Sequence, residues 1–404
     1  MSRARSSLVG APGGRPGSRS RARRGASSGE AIELLLVGDL ILDEPQPDRF
    51  FDAVRPVLQA ADLVIGHVEV PFSTRTDHGP NPNPGREPAK LTALARAGIG
   101  VATLAGNHVF DAGTVGVQET LRGLERAGIA SAGAGLDLEA ARRPAIVERR
   151  GIRVGVLSFN CVGPRESWAG PHKAGAAYVE VLTHYELDHA NPGGPPGRIV
   201  SVAVPDSLEA MQRDIERTRG EVDLLVVALH KGVTHIPARL AMYERPLARA
   251  AVEAGADVVA GHHAHLLRGV EMHRGRPIFH GLGNFVTVTR VLGLEDNPNP
   301  TMLEWARRRR ELFGFSPDPS YPTYPFHPEA RHAMIARVVA GKDGVQEAGF
   351  LPCWVAPDGR PLVCGSDELG AAVVAYVEEI THRAGLETHF RWEGDRVVFT
   401  GGRG

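Results

Sequence analysis

The chain has 404 residues, of which 42% are hydrophobic, and its formal net charge is -1. The apolar fraction is sufficient for a sizeable core, and the charge balance excludes a global field that would attract nucleic acid or an acidic surface. The three cysteines have no CxxC spacing, which favours a reducing compartment over a disulfide scaffold. Because no segment approaches the ~20 apolar residues of a membrane span, we expect a cytoplasmic protein.

Residues 1–30 are rich in Arg, Ser, Gly and Pro, and this composition predicts a disordered tail. The pair Arg23-Arg24 is not followed by the apolar stretch of about 7–15 residues that an export signal requires. A solvated tail is the preferred interpretation, and a tail that contacts RNA or anionic lipid is the alternative. We do not expect nucleic acid to be a partner of this protein.

From residue 32 onward, short apolar runs of strand length alternate with amphipathic helical patterns. Strands are predicted at 32–38, 62–66, 99–106, 144–149, 152–159, 223–230, 257–263 and 277–285, with two more at MIARVVAG and VVFTG. Helices are predicted at about 48–60, 88–97, 114–127, 207–219, 239–254 and 366–384. Continuous apolar strands separated by amphipathic helices are typical of an α/β fold in which the sheet is buried on both faces.

The alternation predicts one domain over residues 31–400, interrupted by two inserted loops. Residues 160–200 are rich in Gly, Pro and His, and residues 286–330 contain many prolines. Both stretches are too long for ordinary connections, so we expect lids, binding loops or insertions.

The second insertion carries a basic run and several aromatic residues. We interpret Arg307–Arg310 as one solvated helix face. Tyr321, Tyr324 and Phe326, which lie among prolines, are interpreted either as an aromatic wall over a pocket or as a packed loop.

Polar side chains follow five of the predicted strands at their carboxyl ends, where open α/β sheets bind ligands. In chain order these residues are Asp39, Glu69, Asn107 with His108, His230, and the cluster of His262, His263 and His265. Carboxylate, amide and imidazole groups bind hard and borderline divalent cations, and two cations about 3.5–4 Å apart can share a bridging carboxylate. The cluster is the strongest single signal, because three imidazoles in four residues are hard to justify by packing.

The segments that carry these residues resemble the signature segments of the CapA family, in the order GDLIL, HVEVPF, LAGNHVFDAG, ALHKG and GADVVAGHHAHLLRGVE…PIFHGLGNF. Residues 133–159 are similar to the middle of that family, and the resemblance covers about residues 32–285. The family is named for poly-γ-glutamate capsule synthesis and belongs to the metallophosphatase, or calcineurin-like phosphoesterase, superfamily. The resemblance implies a four-layer αββα metallophosphatase-like sandwich, with two β-sheets flanked by helices. It also implies two divalent metal ions (Mn, Fe or Zn) between the sheets.

The resemblance also implies a role for each matching residue. The implied metal ligands are Asp39 and His265 for the first ion, Glu69 as the bridging carboxylate, and Asn107, His230 and His263 for the second ion. His108 is implied to be the catalytic general acid, and Asp111 is its candidate orienting carboxylate.

Several positions depart from the family pattern. The superfamily's usual motif places a histidine two residues after the first aspartate, where this chain has Ile41, and this difference bears on the occupancy of the first metal position. His67 replaces the usual asparagine before Glu69 and is a candidate extra imidazole. Lys231 and Thr234 replace the usual Trp and Glu after His230. A lysine there is a candidate contact for a carboxylate or phosphate. The additional candidates for metal or substrate binding are therefore His67, His262, Lys231 and His280.

The first functional hypothesis is a metal-dependent hydrolase in which metal-bound hydroxide attacks a phosphoester or a related electrophile. Its substrate is expected to be a small or oligomeric anion, and an amide or γ-glutamyl substrate remains open because a fold does not fix a substrate. The alternative is a non-catalytic or assembly component of poly-γ-glutamate or capsule polymer synthesis. The sequence does not determine the oligomeric state.

Overall fold

The computed structural model describes residues 31–75, 85–187, 189–190, 197–290 and 300–402. The predicted tail at 1–30 lies outside the described residues. Residues 188 and 191–196 of the first predicted insertion, and 291–299 of the second, lie outside them as well. The single domain predicted over 31–400 remains a prediction.

The described residues form twenty strands and eight α-helices. The strands are β1 (Ile32–Leu42), β2 (Leu63–Val68), β3 (Ile99–Thr103), β4 (Ala130–Ala132), β5 (Ala134–Gly135), β6 (Ala145–Arg149), β7 (Ile152–Asn160), β8 (Gly175–Ala176), β9 (Val181–Glu186), β10 (Arg198–Ala203), β11 (Leu224–His230), β12 (Val258–His262), β13 (Val270–His273), β14 (Arg276–Phe279), β15 (Asn284–Val288), β16 (His332–Gly341), β17 (Gly344–Val355), β18 (Pro361–Val363), β19 (Thr388–Glu393) and β20 (Arg396–Gly401). The helices are α1 (Arg55–Ala60), α2 (Thr92–Ala97), α3 (Gly113–Arg126), α4 (Leu138–Ala141), α5 (Pro205–Arg219), α6 (Glu244–Glu253), α7 (Pro300–Phe313) and α8 (Glu368–Arg383).

The strands form two large sheets. The first has ten strands in the order β19-β20-β17-β16-β1-β2-β3-β4, with β15 paired to β1 and β18 paired to β17. The second has six strands in the order β13-β14-β12-β11-β7-β6. In the first sheet β1 runs parallel to β2 and β15, so their carboxyl ends meet at one edge. In the second sheet β7, β11 and β12 are parallel in the same way.

Alternate residues of the central strands face two different apolar layers. On β1, Leu34 and Leu36 pack between the two sheets, whereas Leu35 and Val37 pack against the helices that cover the first sheet. On β11, Val226 faces the layer between the sheets. Its neighbours on β11 face α5 and α6, which cover the second sheet. The architecture is thus helices, sheet, sheet, helices, and the predicted αββα class is confirmed.

Local sequence chemistry explains several element boundaries. Helix α8 begins after Asp367, whose side chain accepts a hydrogen bond from the backbone N–H of Gly370, as expected of an N-terminal cap. Helix α2 ends at Gly98, which adopts a left-handed conformation with φ of 102°. Helix α5 begins at Pro205, whose missing N–H costs nothing in the first turn.

One predicted strand is wrong in a way that matters for the site. Residues 277–285 do not form a single strand: β14 belongs to the second sheet, and β15 belongs to the first. The chain crosses between the sheets through Gly281 to Gly283, and Gly283 adopts a φ of 62° that favours glycine. At this crossing a Cβ on Gly38 would lie 2.1 Å from the carbonyl oxygen of Gly283, so the close approach of β1 requires a glycine there.

Most other predicted elements have structural counterparts with shifted ends. The helix predicted at about 48–60 is a 3-10 turn, Pro47–Phe51, followed by α1. Strand β17 was not predicted, because Glu347 and Pro352 interrupt its apolar pattern. Among the described residues, no helix is both long enough and apolar enough to cross a membrane.

Candidate metal centre

The predicted ligands converge where the carboxyl ends of both sheets meet. Asp39 lies on β1, in register with His67 on β2 and with Asn284 on β15. His230 ends β11 directly opposite His262, which ends β12. The loops after β2, β3 and β12 supply the remaining candidates, because parallel strands deliver their following residues to one edge of a sheet.

One group of donors consists of Asp39, Glu69 and His265, whose ligand atoms all lie within 4.8 Å of one another. The Nδ1 atom of His265 is 3.5 Å from Asp39 Oδ2, and its Nε2 atom is 3.4 Å from Glu69 Oε1. Among the described residues, Asp39 Oδ2 and both carboxyl oxygens of Glu69 have no hydrogen-bond partner. Burial raises the pKa of Asp39, and burial together with the Asp39 charge raises the pKa of Glu69 well above its ordinary range.

The second group of donors consists of Asn107, His230 and His263. The Nε2 atom of His230 lies 2.7 Å from Asn107 Oδ1 and 3.1 Å from His263 Nδ1. Ligands about 2.1 Å from an ion are about 3.0 Å apart at adjacent octahedral corners and about 3.4 Å apart at tetrahedral ones. The two observed separations therefore have the scale of donor atoms around one shared cation.

Burial favours the neutral form of His67 and of the histidines in the two donor groups. Burial first, and then the neighbouring imidazoles, lowers the pKa of His230 and of His263 well below the ordinary value. Burial and His262 lower the pKa of His67 to about 3. A neutral imidazole keeps the lone pair that a divalent cation requires, so these histidines are prepared as ligands.

Further side chains orient the donors. The Nδ1–H of His262 donates to Asp39 Oδ1 at 3.0 Å, and the Nδ1–H of His265 donates to Asn284 Oδ1 at 2.8 Å. The hydroxyl of Thr234 lies 2.9 Å from His263 Nε2. Such partners fix the ring orientation and tautomer of metal-binding histidines and raise their basicity.

The backbone of the histidine cluster is strained. His263 has a φ of 85° and His265 a φ of 55°, both in the left-handed region that non-glycine residues rarely adopt. Strain of this kind persists only where the surroundings determine it strongly, and it concentrates at functional sites. With these φ values residues 263 and 265 are not extended, and His263 and His265 reach the two separate donor groups.

His108 and Asp111 form a hydrogen-bonded pair, with His108 Nδ1 only 2.6 Å from Asp111 Oδ2. Burial alone would lower the pKa of His108, but the charge and hydrogen bond of Asp111, together with the charge of Glu69, outweigh it and raise the pKa. The side chain of His108 is 20% exposed and that of Asp111 only 4%. His108 is therefore more accessible to solvent than the carboxylate that orients it.

The additional candidates separate into two sets. His67 joins the centre: its ring stacks on His262 with centroids 4.4 Å apart and lies 4.8 Å from the ring of His230. Its Nε2 atom has no hydrogen-bond partner among the described residues. The Nδ1 atom of His67 lies 3.0 Å from Thr103 Oγ1, which fixes the ring.

Lys231 and His280 are not brought to the donor groups. The ammonium of Lys231, which is 1% exposed, donates to Glu244 at 2.8 Å and to the backbone oxygen of His280 at 3.0 Å. The ring of His280 lies 3.1 Å from Glu271 through Nε2. The expectation of a substrate contact from Lys231 is corrected, because its charge is already compensated inside the core.

Ile41 packs in the apolar layer on the helix side of the first sheet, so it contributes no ligand.

Three residues in or around the site were missed by the sequence reasoning. His235 is buried, has a φ of 58°, and stacks on His265 with centroids 5.1 Å apart. Asn284 lies in the GLGNF segment, and that position was the only available signal for it. Arg309 was included in a run interpreted as solvated.

Of the aromatic residues in the second insertion, Phe326 reaches the site and lies 5.1 Å from the His265 ring, whereas Tyr321 and Tyr324 pack in the core.

The donor set fits a pair of divalent cations. Buried carboxyl oxygens without partners, neutral imidazoles and amide oxygens lie at ligand-like separations, and Glu69 adjoins both Asp39 and the His108 side of the centre. Cations at this position would offset the cost of burying these carboxylates. Oxygen and nitrogen donors of this kind accept Mn, Fe or Zn.

The fold is an αββα sandwich with a candidate metal centre where its two sheets meet. Residues 33–289 match the family described as "Bacterial capsule synthesis protein PGA_cap", and the chain therefore belongs to this family. It is similar to "Capsule biosynthesis protein CapA" of Bacillus anthracis, with 27% identity over 64% of this chain and 60% of that protein. It is also similar to "Probable polyglutamine synthesis accessory protein Rv0574c" of Mycobacterium tuberculosis (strain ATCC 25618 / H37Rv), with 32% identity over 49% of this chain and 48% of that protein.

The match thus spans about half to three fifths of the length of these relatives. Among solved structures, the chain is similar to calcineurin-like phosphoesterase YfkN from Bacillus subtilis. That similarity has a TM-score of 0.35 and 12% identity, and it covers 88% of this chain and 97% of the other.

Proposed function

We propose that the protein is a metal-dependent hydrolase of the metallophosphatase type. The observation that carries this proposal is the adjacency of two donor groups: Asp39, Glu69 and His265 in one, and Asn107, His230 and His263 in the other. Asp39 Oδ2 and both carboxyl oxygens of Glu69 are buried without hydrogen-bond partners among the described residues, which is costly unless a cation binds there. Two bound divalent ions would supply Lewis acidity and lower the pKa of water towards neutrality.

The chain's own residues would bind the substrate and transfer a proton. His108 donates its Nδ1–H to Asp111, which leaves Nε2 directed away from that carboxylate. Asp111 raises the pKa of His108, and this favours the protonated ring at neutral pH. His108 would therefore hold a proton on Nε2 and give it to the leaving group, and Asp111 would keep the ring oriented.

The expected substrate is a phosphoester, and an amide or γ-glutamyl bond is the alternative electrophile. Both fit a site that binds an anionic group and protonates a leaving group. The family membership does not decide between them, since one fold supports several chemistries.

The proposal is tested by His108→Ala and Asp111→Asn, measured against metal content. Loss of a general acid typically lowers kcat by about 10²- to 10⁴-fold, so we expect that loss in His108→Ala, with metal stoichiometry by plasma mass spectrometry unchanged. Asp111→Asn should lower kcat less and should shift the basic limb of the pH profile, where the general acid loses its proton, to lower pH. Full activity of His108→Ala on a panel of phosphoesters and amides would remove the acid role.

A second candidate is a non-catalytic accessory role in the synthesis of a γ-linked polyglutamate or capsule polymer. It is favoured by the printed names of two relatives, a capsule biosynthesis protein and a probable polyglutamine synthesis accessory protein. Under this alternative the metals would be structural. Stoichiometric metal with no turnover on any ester or amide of the panel would favour it over the hydrolase.

A further inference from the structure

Arg268, which follows the histidine cluster in the chain, is fully buried but only partly hydrogen-bonded. The residue is 0% exposed. Its Nη2 atom donates to the backbone oxygen of Val233 at 2.5 Å. Its Nε and Nη1 atoms have no hydrogen-bond partner among the described residues. Because burying a cation with unsatisfied N–H groups is costly, stability alone does not account for an arginine at this position.

The stem of Arg268 lies against the point where the chain crosses between the two sheets. A Cβ on Gly281 would be 2.6 Å from Arg268 Cγ, so the close approach of the stem requires a glycine there. The backbone N–H of Arg268 donates to the carbonyl of Gly281 at 2.9 Å. The crossing therefore fixes the base of the side chain, and the guanidinium reaches from there to the loop that follows β11.

That loop begins with residues 231–235, and this segment contacts the histidine cluster directly. The backbone N–H of His235 donates to the carbonyl of Ala264 at 3.0 Å. The ring of His235 stacks on the ring of His265, with centroids 5.1 Å apart and planes inclined by 21°. The segment therefore touches both the backbone of the cluster and a predicted ligand of the first cation.

The same segment contacts a predicted ligand of the second cation through Thr234. The Thr234 hydroxyl lies 2.9 Å from His263 Nε2, and His263 Nδ1 lies 3.1 Å from His230 Nε2. When the Nε2–H of His263 donates to this hydroxyl, the lone pair of Nδ1 faces the second donor group, as a cation requires. The carbonyl that Arg268 binds belongs to the peptide between Val233 and Thr234, so this bond fixes the start of the Thr234 residue.

Both segments that Arg268 joins have strained backbones. His235 has a φ of 58°, and His263 and His265 have φ values of 85° and 55°. Such conformations are costly for residues other than glycine and persist only where surrounding contacts determine them. The hydrogen bond from Arg268 to Val233 is a contact of this kind, because it ties the two strained segments together.

We propose that Arg268 is a positioning residue of the metal centre. Its guanidinium fixes the peptide after Val233, and the segment that contains this peptide orients the predicted ligands His263 and His265. The inference rests on the proposed metal-dependent function and adds the residue that holds the ligand geometry. Arg268 acts through these neighbours and not by contact with a cation or a substrate.

The test compares Arg268→Met with Arg142→Met, each dialysed against a chelator. Methionine keeps an unbranched stem against Gly281 and removes the guanidinium. Arg142 forms an ion pair with Asp214 of α5, in the helix layer over the second sheet, so its replacement breaks a charged contact away from the donor groups. The readouts are the affinity for Mn²⁺ by calorimetry at pH 8 and the melting temperature of the metal-free protein.

The two variants should respond in opposite ways. Arg268→Met should weaken Mn²⁺ binding by about 10- to 100-fold, as for other residues that orient metal ligands. Its metal-free melting temperature should equal or exceed that of the wild type, because a buried and partly unsatisfied charge is removed. Arg142→Met should lower the melting temperature and leave the Mn²⁺ affinity within about 2-fold. A melting temperature that falls together with the affinity in Arg268→Met would indicate a general structural role and overturn the proposal.

Thr234→Val tests the route by which Arg268 acts, since valine keeps the shape of threonine and removes the hydroxyl. This variant should also weaken Mn²⁺ binding. The double variant with Arg268→Met should bind within about 3-fold of the weaker single variant, because both changes disturb the same ligand. Effects that multiply in the double variant would contradict a route through Thr234.

The last readout does not depend on metal. Ring ¹⁵N NMR of the metal-free protein at pH 8 should show the His263 proton on Nε2 in the wild type and in Arg142→Met, and a mixture of tautomers in Arg268→Met. An unchanged tautomer, or an unchanged Mn²⁺ affinity where the wild type binds Mn²⁺, would overturn the proposal. If the wild type binds no metal but the tautomer changes in Arg268→Met alone, the positioning role stands and only the metal-dependent function is refuted.

Discussion

Two buried glutamates with opposite surroundings give a sharp test of the metal centre. Glu69 and Glu244 are each 1% exposed. Both carboxyl oxygens of Glu69 have no hydrogen-bond partner among the described residues, whereas Glu244 forms an ion pair with Lys231 at 2.8 Å. Replacing each by glutamine removes the same charge with little change of shape, so the two variants should change the stability of the metal-free protein in opposite directions.

The magnitudes follow from burial. Burial and the Asp39 charge penalise a carboxylate at position 69, and a neutral glutamine avoids that penalty, so Glu69→Gln should stabilise the metal-free protein by about 1–3 kcal/mol. Glu244→Gln leaves the Lys231 ammonium buried without its partner, which costs about 3–5 kcal/mol. The unfolding entropy is about 2.1 cal/mol/K per residue, or about 0.8 kcal/mol/K for a chain of this size. The melting temperature should therefore rise by about 1–4 °C in Glu69→Gln and fall by about 4–6 °C in Glu244→Gln.

Metal addition narrows the difference in melting temperature between the two variants without reversing its sign. At a concentration 100 times Kd, one bound ion stabilises a native protein by about 2.7 kcal/mol, or about 3–4 °C here. Glu244→Gln should keep this increase and Glu69→Gln should lose most of it, as measured by differential scanning fluorimetry with Mn²⁺ or Zn²⁺ after dialysis against a chelator. If Glu69→Gln lowers the metal-free melting temperature and keeps the full metal shift, Glu69 is not a ligand and the argument from unpartnered oxygens is refuted.

Two further predictions concern the surroundings of the centre. Hydrogen bonds from His280, Arg245 and Arg249 outweigh the effect of burial and lower the pKa of Glu271 to about 2. Its stabilising contribution of about 2–3 kcal/mol should therefore be complete above about pH 4.5 and be lost as the pH falls towards 2, and urea unfolding of Glu271→Gln should lack that dependence. A Cβ on Gly106 would meet His230 and His67 atoms at 3.3 Å, tighter than ordinary contact. Gly106→Ala should weaken metal binding by about 10-fold or more, as expected when ligand orientation is disturbed, while far-UV circular dichroism stays unchanged.

The sequence predicted the fold class because two signals agreed. Apolar runs such as 32–38 and 223–230 have the length and continuity of strands buried on both faces, and both are strands in the structure. The polar residues that follow them were correctly expected at one edge, since parallel strands end together. Asp39 and His230 therefore lie near their expected partners because of topology alone.

The remaining features depend on contacts that no local pattern encodes. In the sequence, the crossing between the sheets after Phe279 could not be distinguished from the continuation of one strand. An apolar pattern does not show which sheet a segment joins. His235 belongs to no apolar pattern with the spacing of a strand or a helix. Its left-handed backbone conformation is imposed by tertiary packing. Arg309 was assigned to solvent because arginine runs usually lie there, whereas it is partly buried and lies over Phe313, which contacts His235.

The crossing from β14 to β15 has a mechanical consequence for the whole sandwich. Four residues, 280–283, connect the second sheet to Asn284 of the first, and Asn284 holds the ring of His265. The distance between the two sheets is therefore coupled to the distances between the donor atoms. A sliding or separation of the sheets would change those donor distances. Cations bound there would link the two sheets. The thermal fluctuations of the interface between the sheets should therefore be smallest at this end of the molecule.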